Sequence, residues 1–323
     1  MSTVTVVGSY IAALVMDVAC IPLEGETVIG RNFHTTHGGK GSNMAACAAR
    51  LGAATRFFGK VGRDAFGEGF VRLLDEEKID RGALLFSETK PTAVGFIIFS
   101  SKGSNIIVID TAANGEFLPA DITAHSDAIT SSAVAVSPLE IPLATALAAA
   151  SVAKGAGRKF ILNPAPAMDL RDADLSAVFA LTPNELEGRV CLGLRPDDPI
   201  KDNEVVLELL RLGVDNVMLT RGGKGVLWGC SAGLREVPAV PVVVVDTVGA
   251  GDAFNAGLAV GLCEEKSTLE AIALGVTAAS LSTQRRETIA SYAYRAEVDL
   301  CYEKTLRAAF AVEPQKIVGN STR

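Results

Sequence analysis

Apolar, β-branched runs alternate with helically spaced apolar residues along nearly the whole chain, and this alternation limits the possible folds more than any other feature. Val4–Val7 reads as a strand ending at Gly8. Gly41–Leu51 reads as a helix, because Ala45, Ala46, Ala48, Ala49 and Leu51 recur at helical spacing. Arg56–Phe58 then reads as a strand and Phe66–Glu77 as a helix. Further strands are expected at Ala133–Val136, Lys159–Leu162, Val178–Leu181, Val217–Thr220 and Val242–Val245. Helices are expected at Leu143–Ala153, Glu204–Leu212, Ala253–Cys263, Leu269–Ser282 and Glu297–Phe310. A β-α-β-α rhythm of this kind predicts an α/β fold: a mostly parallel sheet with helices on both faces. With 323 residues, 49% of them hydrophobic, the chain can bury the core such a sheet needs.

Two regions break the rhythm. Ala12–Asp17 with Thr27–Thr36, and Ala93–Phe99 with Asn105–Asp110, read as extended segments with no helix between them. They predict a small antiparallel sheet inserted into the main domain, either a lid over a pocket or an ordinary edge hairpin. The division expected is one domain over 1–310, with the lid formed by about 10–37 and 92–111, and a flexible tail over 311–323.

Charge and cysteine usage exclude several classes. A formal net charge of −7, a pI near 5.2 and the lack of any Lys/Arg block argue against nucleic-acid and membrane-surface partners. Cys20, Cys47, Cys191, Cys230, Cys263 and Cys301 form no C-x-x-C pair, so free thiols in a reducing cytoplasm are expected. His34 and His37 lack the companions of a zinc site. Val4–Ile21 is apolar, but it carries Asp17 and no basic flank, so it reads as structure rather than as a leader. Asn320-Ser-Thr matches a glycosylation sequon, which has no meaning in a cytoplasmic chain.

Four segments carry chemistry. Val242–Val245 runs into Asp246-Thr247-Val248-Gly249-Ala250-Gly251-Asp252 and then into the helix that follows. Glycines 249 and 251 allow a ligand close approach, and free amides at a helix start seat a phosphate. Asp252 in that turn can take the proton of an attacking hydroxyl, or it can merely cap the helix. A dinucleotide turn is disfavoured, since Phe254 stands where a third glycine belongs. His37-Gly38-Gly39-Lys40-Gly41-Ser42-Asn43 offers Lys40 and Asn43 as donors to substrate hydroxyls, without P-loop spacing. Thr182-Pro183-Asn184-Glu185-Leu186-Glu187 sets Asn184 and Glu187 on one helix face, which suits a hydrated Mg2+ or a capped helix start. Thr220-Arg221-Gly222-Gly223-Lys224-Gly225 either wraps a nucleotide or forms a plain hairpin.

In this order the segments resemble the ribokinase-like (PfkB) family of carbohydrate kinases, over about residues 4–310. The resemblance rests most on Gly38–Asn43 and Asp246–Asp252, with Gly25-Glu26-Thr27, Asn163-Pro-Ala-Pro and Thr182-Pro-Asn-Glu in support. It implies a Rossmann-like αβα sandwich with a β lid, and phosphoryl transfer from ATP to a sugar hydroxyl. It implies Asp252 as catalytic base, with Gly249, Ala250 and Gly251 as the anion hole. Gly39, Lys40, Asn43 and Glu140 would hold the sugar. Asn184, Thr220, Gly222, Gly225 and Asn255 would hold the nucleotide. Glu187 would be linked to Mg2+, and Asp246 and Val248 to a K+-like ion. Family members often dimerise through the lid, and the apolar lid segments permit that here.

Two departures bear on specificity. Ile11 and Ala13 stand where the family places polar sugar contacts, and Asp17 lies roughly 13 Å further along the strand at ~3.3 Å per residue. Plain ribose is therefore not the expected acceptor. A deoxygenated, rearranged or larger polyol, a nucleoside or a keto-deoxy sugar acid are the alternatives. A catalytically silent nucleotide or sugar sensor is a further reading that the loss of polar groups leaves open. Glu287-Thr288 likewise replaces a Gly-Ala pair in the loop assigned to the monovalent ion.

Overall fold

The computed structural model describes residues 3–101 and 104–315. Strands β1 (Thr3–Val7), β4 (Ala54–Gly62), β5 (Asp80–Ser87), β8 (Val134–Pro138), β9 (Lys159–Asn163), β10 (Ala180–Leu181), β11 (Asn216–Thr220), β12 (Val226–Cys230) and β13 (Gly233–Val237) form one sheet. Its order is β13-β12-β11-β10-β9-β8-β1-β4-β5, and every pair is parallel except β11–β12 and β12–β13 at one edge. The parallel strands are apolar on both faces, as a sheet sandwiched between helices requires: Val4, Val6, Val134, Val136, Ile161 and Leu162 are buried.

Helices α1 (Lys40–Arg50), α2 (Ala65–Glu76), α9 (Ala250–Cys263), α10 (Thr268–Ser282) and α11 (Arg295–Ala311) accompany one of two core clusters. The short α3 (Ala112–Gly115), α4 (Pro119–Ala124) and α5 (Asp127–Thr130) join α6 (Leu143–Gly155), α7 (Glu185–Cys191) and α8 (Asp202–Arg211) elsewhere around the sheet, and residues of α4, α5, α6, α7 and α8 enter the other cluster. Helix α9 packs between α1 and α10. The crossing with α10 is close because a Cβ at Gly257 would sit 2.7 Å from the Gly275 Cα.

A second sheet holds β2 (Ile11–Val18), β3 (Arg31–Gly38), β6 (Val94–Ser100) and β7 (Asn105–Asp110) in the order β3-β2-β6-β7. The expected lid is present, but it is mixed rather than wholly antiparallel, because β2 and β6 run parallel. Residues 27–30 are not strand. The final ladder pair is Asp17 with Arg31, so 27–30 lie past the paired part of β2.

A larger correction concerns 242–245, which form no strand. Pro238 and Pro241 lack amide donors, and the outermost strand β13 has already ended at Val237. The segment instead follows the end of α10, with Val245 N and Asp246 N both donating to the Thr283 carbonyl. Val243 is 80% exposed rather than buried. Past α11, Gln315 exchanges two backbone hydrogen bonds with Leu234, so the expected tail begins tied to β13. The rest of that tail, with the Asn320 sequon, lies outside the described residues.

Candidate active site

In an open parallel sheet, ligands bind beyond the strand ends where neighbouring crossovers diverge. Here that point lies between β1 and β8, and the loops leaving both strands meet there. Ser9, just past β1, donates through Oγ to Glu140 Oε2 at 2.5 Å, just past β8. The same carboxylate oxygen accepts from the Lys40 backbone N–H at 2.7 Å. Gly39 and Gly41 are required at this junction. Gly39 has φ +93° and a Cβ there would lie 2.7 Å from Ile11 N, while one at Gly41 would lie 2.5 Å from Ser9 N.

Helix α1 begins at this junction and α9 begins opposite it. Asp252, in the first turn of α9, is 4% exposed, and its Oδ2 accepts from Asn43 Nδ2 at 2.8 Å. The Lys40 ammonium acts on the carboxylates of Asp252, Glu140 and Glu187, and its own affinity for a proton is raised, chiefly by Asp252. Burial holds the carboxyls of Asp252, Glu140 and Glu187 above the ordinary range, and the nearby Lys40 charge works against it in each. Three carboxylates around one ammonium thus form a desolvated, net acidic cluster. Asn43 Oδ1 is buried with no hydrogen-bond partner, an acceptor left open beside that cluster.

The glycine turn opens onto free space. Gly249 is the N-cap residue of α9 at φ +78°, and a Cβ added at Gly251 would meet nothing within 4 Å. Ala250 and Gly251 line a cavity of about 520 Å3 that continues past Thr220, Gly222 and Gly225 to Val242, Val244, Val276 and Ser280. The apolar run at 242–245, read from the sequence as a buried strand, therefore serves as cavity wall. Gly225 is conformationally fixed: φ is +85°, and a Cβ would lie 2.0 Å from the Val237 carbonyl oxygen.

Asn255 faces inward from α9. It accepts from Thr182 Oγ1 at 2.7 Å and donates to the Gly251 carbonyl at 2.9 Å, linking the turn to the end of β10. Asn184 and Glu187 form the reciprocal capping box of α7: Asn184 Oδ1 accepts from Glu187 N, and Glu187 Oε2 accepts from Asn184 N. Glu187 Oε1 has no partner in that box. Asp246 joins two loops, taking Val248 N on Oδ1 at 3.0 Å and Glu287 N on Oδ2 at 3.2 Å. Glu287 holds φ +69°, a left-handed conformation that favours glycine over a residue with a side chain.

Ile11 (4% exposed) and Ala13 (6% exposed) lie on the same face of β2, beside the Gly39 junction, and Gly95 of β6 approaches Ile11. The sequence reading gave Ser9 and Thr182 no site role of their own. Thr182 directly follows β10 and Ser9 lies two residues past β1, and a polar residue at the end of a parallel strand is the signal by which they can be found.

An open, mostly parallel sheet, a small mixed sheet beside it, a buried acidic cluster at the strand ends and a large cavity at the glycine turn together define the site. A family model described as pfkB family carbohydrate kinase matches residues 1–294, and the chain belongs to that family, phosphotransferases with a hydroxyl acceptor. Among its relatives, the ribokinase of Haemophilus influenzae is 35% identical over 295 residues, covering 91% of this chain and 96% of that protein. The deoxyribokinase of Salmonella typhimurium is 32% identical over 292 residues, covering 90% and 95%. The structure of Arabidopsis thaliana ribokinase complexed with ribose and ATP is 30% identical, with a TM-score of 0.84, covering 95% of this chain and 99% of that one.

Proposed function

We propose that this kinase transfers the γ-phosphoryl group of ATP to a hydroxyl of a sugar that lacks a ring hydroxyl on the side facing β2, with Asp252 as general base. The observation that carries the reading is a buried carboxylate in the first turn of a helix, one residue from the open space at Gly251. A carboxylate held above its ordinary range by burial is a stronger base for an alcohol proton once ionised. The amides of Gly249 and Gly251 face the charge that develops on the transferring group, and Ala250 shapes the turn between them, its N–H donating to the Thr247 carbonyl at 3.2 Å. Lys40, Asn43 and Glu140 hold the acceptor, and the unpaired Asn43 Oδ1 accepts a hydrogen bond from one of its hydroxyls.

Thr220, Gly222 and Gly225 flank the nucleotide, and Asn184 and Asn255 fix the loop and turn around its phosphates. The free oxygen of Glu187 and the exposed Asn184 suit Mg2+ held through its waters, which would neutralise phosphate charge. Asp246 and the Val248 carbonyl suit a K+-like ion beside the anion hole, since each Asp246 oxygen accepts only one N–H. Lid closure over the acceptor excludes water from ATP.

The substrate class follows from the methyl-lined face of β2. A sugar hydroxyl pressed against Ile11 and Ala13 would lose its hydrogen bonds, at about 1–3 kcal/mol each. The deoxyribokinase among the relatives supports this reading. Phe96, Ile107, Val108 and Ile109 of the lid are 46–60% exposed, which supports a homodimer through that sheet. Six free thiols suit a reducing cytoplasm, and no helix among the described residues is long and apolar enough to cross a membrane.

The deciding experiment measures ADP release with ribose, 2-deoxyribose, keto-deoxy sugar acids and nucleosides. Highest kcat/KM on a deoxygenated sugar supports the proposal. Ribose as best acceptor refutes the substrate class. Tight ATP binding with no turnover on any acceptor refutes the enzyme in favour of a sensor.

A further inference from the structure

Helix α1 does more than present Lys40 and Asn43 from its first turn. Its last residue, Arg50, is 13% exposed and grips Glu77 through Nε and Nη2, the latter at 2.6 Å from Glu77 Oε1. Nη1 donates to the carbonyls of Ile289 and Tyr292, the latter at 3.3 Å. The guanidinium lies over the Tyr294 ring, 5.2 Å from its centre. One side chain thus fixes the segment 289–294 from beneath.

That segment backs the glycine turn. Tyr292 is buried, and its hydroxyl donates to the Gly249 carbonyl at 3.3 Å. A Cβ at Gly249 would lie 2.6 Å from the Tyr292 hydroxyl and 3.1 Å from Thr288 Cγ2, so the two segments are in contact. The Gly249 carbonyl also accepts the first helical hydrogen bond of α9, from Ala253 N at 2.9 Å. Its direction therefore sets the orientation of the peptide joining Gly249 to Ala250, whose own N–H donates within the turn to the Thr247 carbonyl at 3.2 Å, and with it the direction in which the next amide, that of Gly251, projects.

We infer that Tyr292 and Arg50 are positioning residues for phosphoryl transfer: Arg50 holds the 289–294 segment, and the Tyr292 hydroxyl on that segment fixes the peptide plane of the anion hole. The inference rests on the reading of Gly249–Gly251 as that hole. Neither residue touches a substrate. A peptide aimed at charge that exists only during transfer acts on kcat and leaves ground-state binding alone. Arg50 suits the task because a planar fork can bind a carboxylate and two carbonyls at once, which an ammonium cannot do.

Three variants test this by kcat, both KM values and thermal unfolding. Tyr292→Phe keeps the ring and its packing, and is expected to lower kcat about tenfold, with KM for ATP and acceptor within about twofold. Arg50→Lys keeps the charge opposite Glu77 and is expected to lower kcat about threefold to tenfold. In the double variant kcat is expected to match the lower single variant, because one path is broken twice. Wild-type kcat in Tyr292→Phe overturns the inference, as does a double variant equal to the product of the two single losses. A kcat loss that comes with proportionate rises in both KM values also overturns it, since that marks general loosening. Gly251→Ala separates the layers. If it leaves kcat unchanged, the anion-hole reading falls and this inference with it. If it lowers kcat and Tyr292→Phe does not, this inference alone falls.

Discussion

Gly251→Ala should give a protein that folds better and transfers phosphate worse. Gly251 lies in the first turn of α9, and a Cβ there meets nothing within 4 Å, so no protein atom need move. Alanine is favoured over glycine in a helix by up to about 1 kcal/mol, which predicts a rise in Tm of about 1–3 °C. The empty space next to Gly251 is also where the transferring group must pass, since Gly251 lines the large cavity. A methyl in that space displaces the group by about 1 Å, a misplacement that costs on the order of 10²-fold in rate. Gly249→Ala is the matched control. Its φ of +78° is unfavourable for alanine by about 1–2 kcal/mol, and the new methyl meets the Tyr292 hydroxyl at 2.6 Å. Both variants should lose activity, but with Tm moving in opposite directions. Scanning calorimetry with a coupled ADP assay reads both quantities. Gly251→Ala turning over within about threefold of wild type would mean that no phosphoryl group passes that surface.

Asp252→Asn should lower kcat by at least about 10²-fold with ATP affinity retained, measured by turnover and titration calorimetry. The Asp252 carboxyl is raised by burial, so its ionised form is disfavoured on folding: the stabilisation it gives is complete below the unfolded value of 3.8 and is lost as pH rises through the folded value. Asp252→Asn should therefore be more stable than wild type at pH 8, with the gain vanishing near pH 3.8. For the same reason the acid limb of kcat/KM should fall at a pH above 3.8, and a limb at or below that value would separate Asp252 from catalysis. Ile11→Asn with Ala13→Asp should shift kcat/KM from 2-deoxyribose toward ribose by about tenfold, read by competing the two acceptors. Ile107→Asp on the exposed lid strand should break the proposed lid dimer into monomers by light scattering, and a mass equal to that of wild type would remove the lid from any interface.

Much of the order of strands and helices was legible because periodicity reports burial, though the sheet-edge strands β5 and β13 and the short helices α3, α4 and α5 were not read. The α1, α2, α6, α8 and α10 boundaries fall within a residue or two of their apolar patterns. The same reasoning failed at 242–245. Four consecutive valines read as a buried strand, yet prolines at 238 and 241 and the end of the sheet leave Val242 and Val244 to line a cavity and Val243 exposed instead. Apolar runs mark contact with something apolar, and here that is the wall of a binding space rather than the core. The glycine turns and Asp252 were legible because backbone constraints are written locally. The Asp252–Asn43 hydrogen bond, 209 residues apart, and the Arg50–Tyr292 contact, 242 apart, were not, because the topology alone brings them together.

The two halves of the site differ in how freely they can change. On the phosphate side, the geometry belongs to the backbone: Gly225 and Gly249 sit where a Cβ would collide with a main-chain carbonyl or a buried hydroxyl, as Gly39 and Gly41 do with main chain at the junction beside the acceptor. Substitution there disturbs the fold itself. On the acceptor side, Ile11 and Ala13 belong to β2, which is held to β3 and β6 by main-chain pairs that are indifferent to the side chain. A side chain on the acceptor face of β2 can pass from polar to apolar while the ladder, the lid and the Gly39 junction stay in place. Asn43, Lys40 and Glu140 cannot follow so cheaply, because each also belongs to the charge and hydrogen-bond cluster around Asp252. With the roles proposed above, acceptor choice in such a kinase should therefore drift through the lid strand while Asp252 and its glycine turn persist.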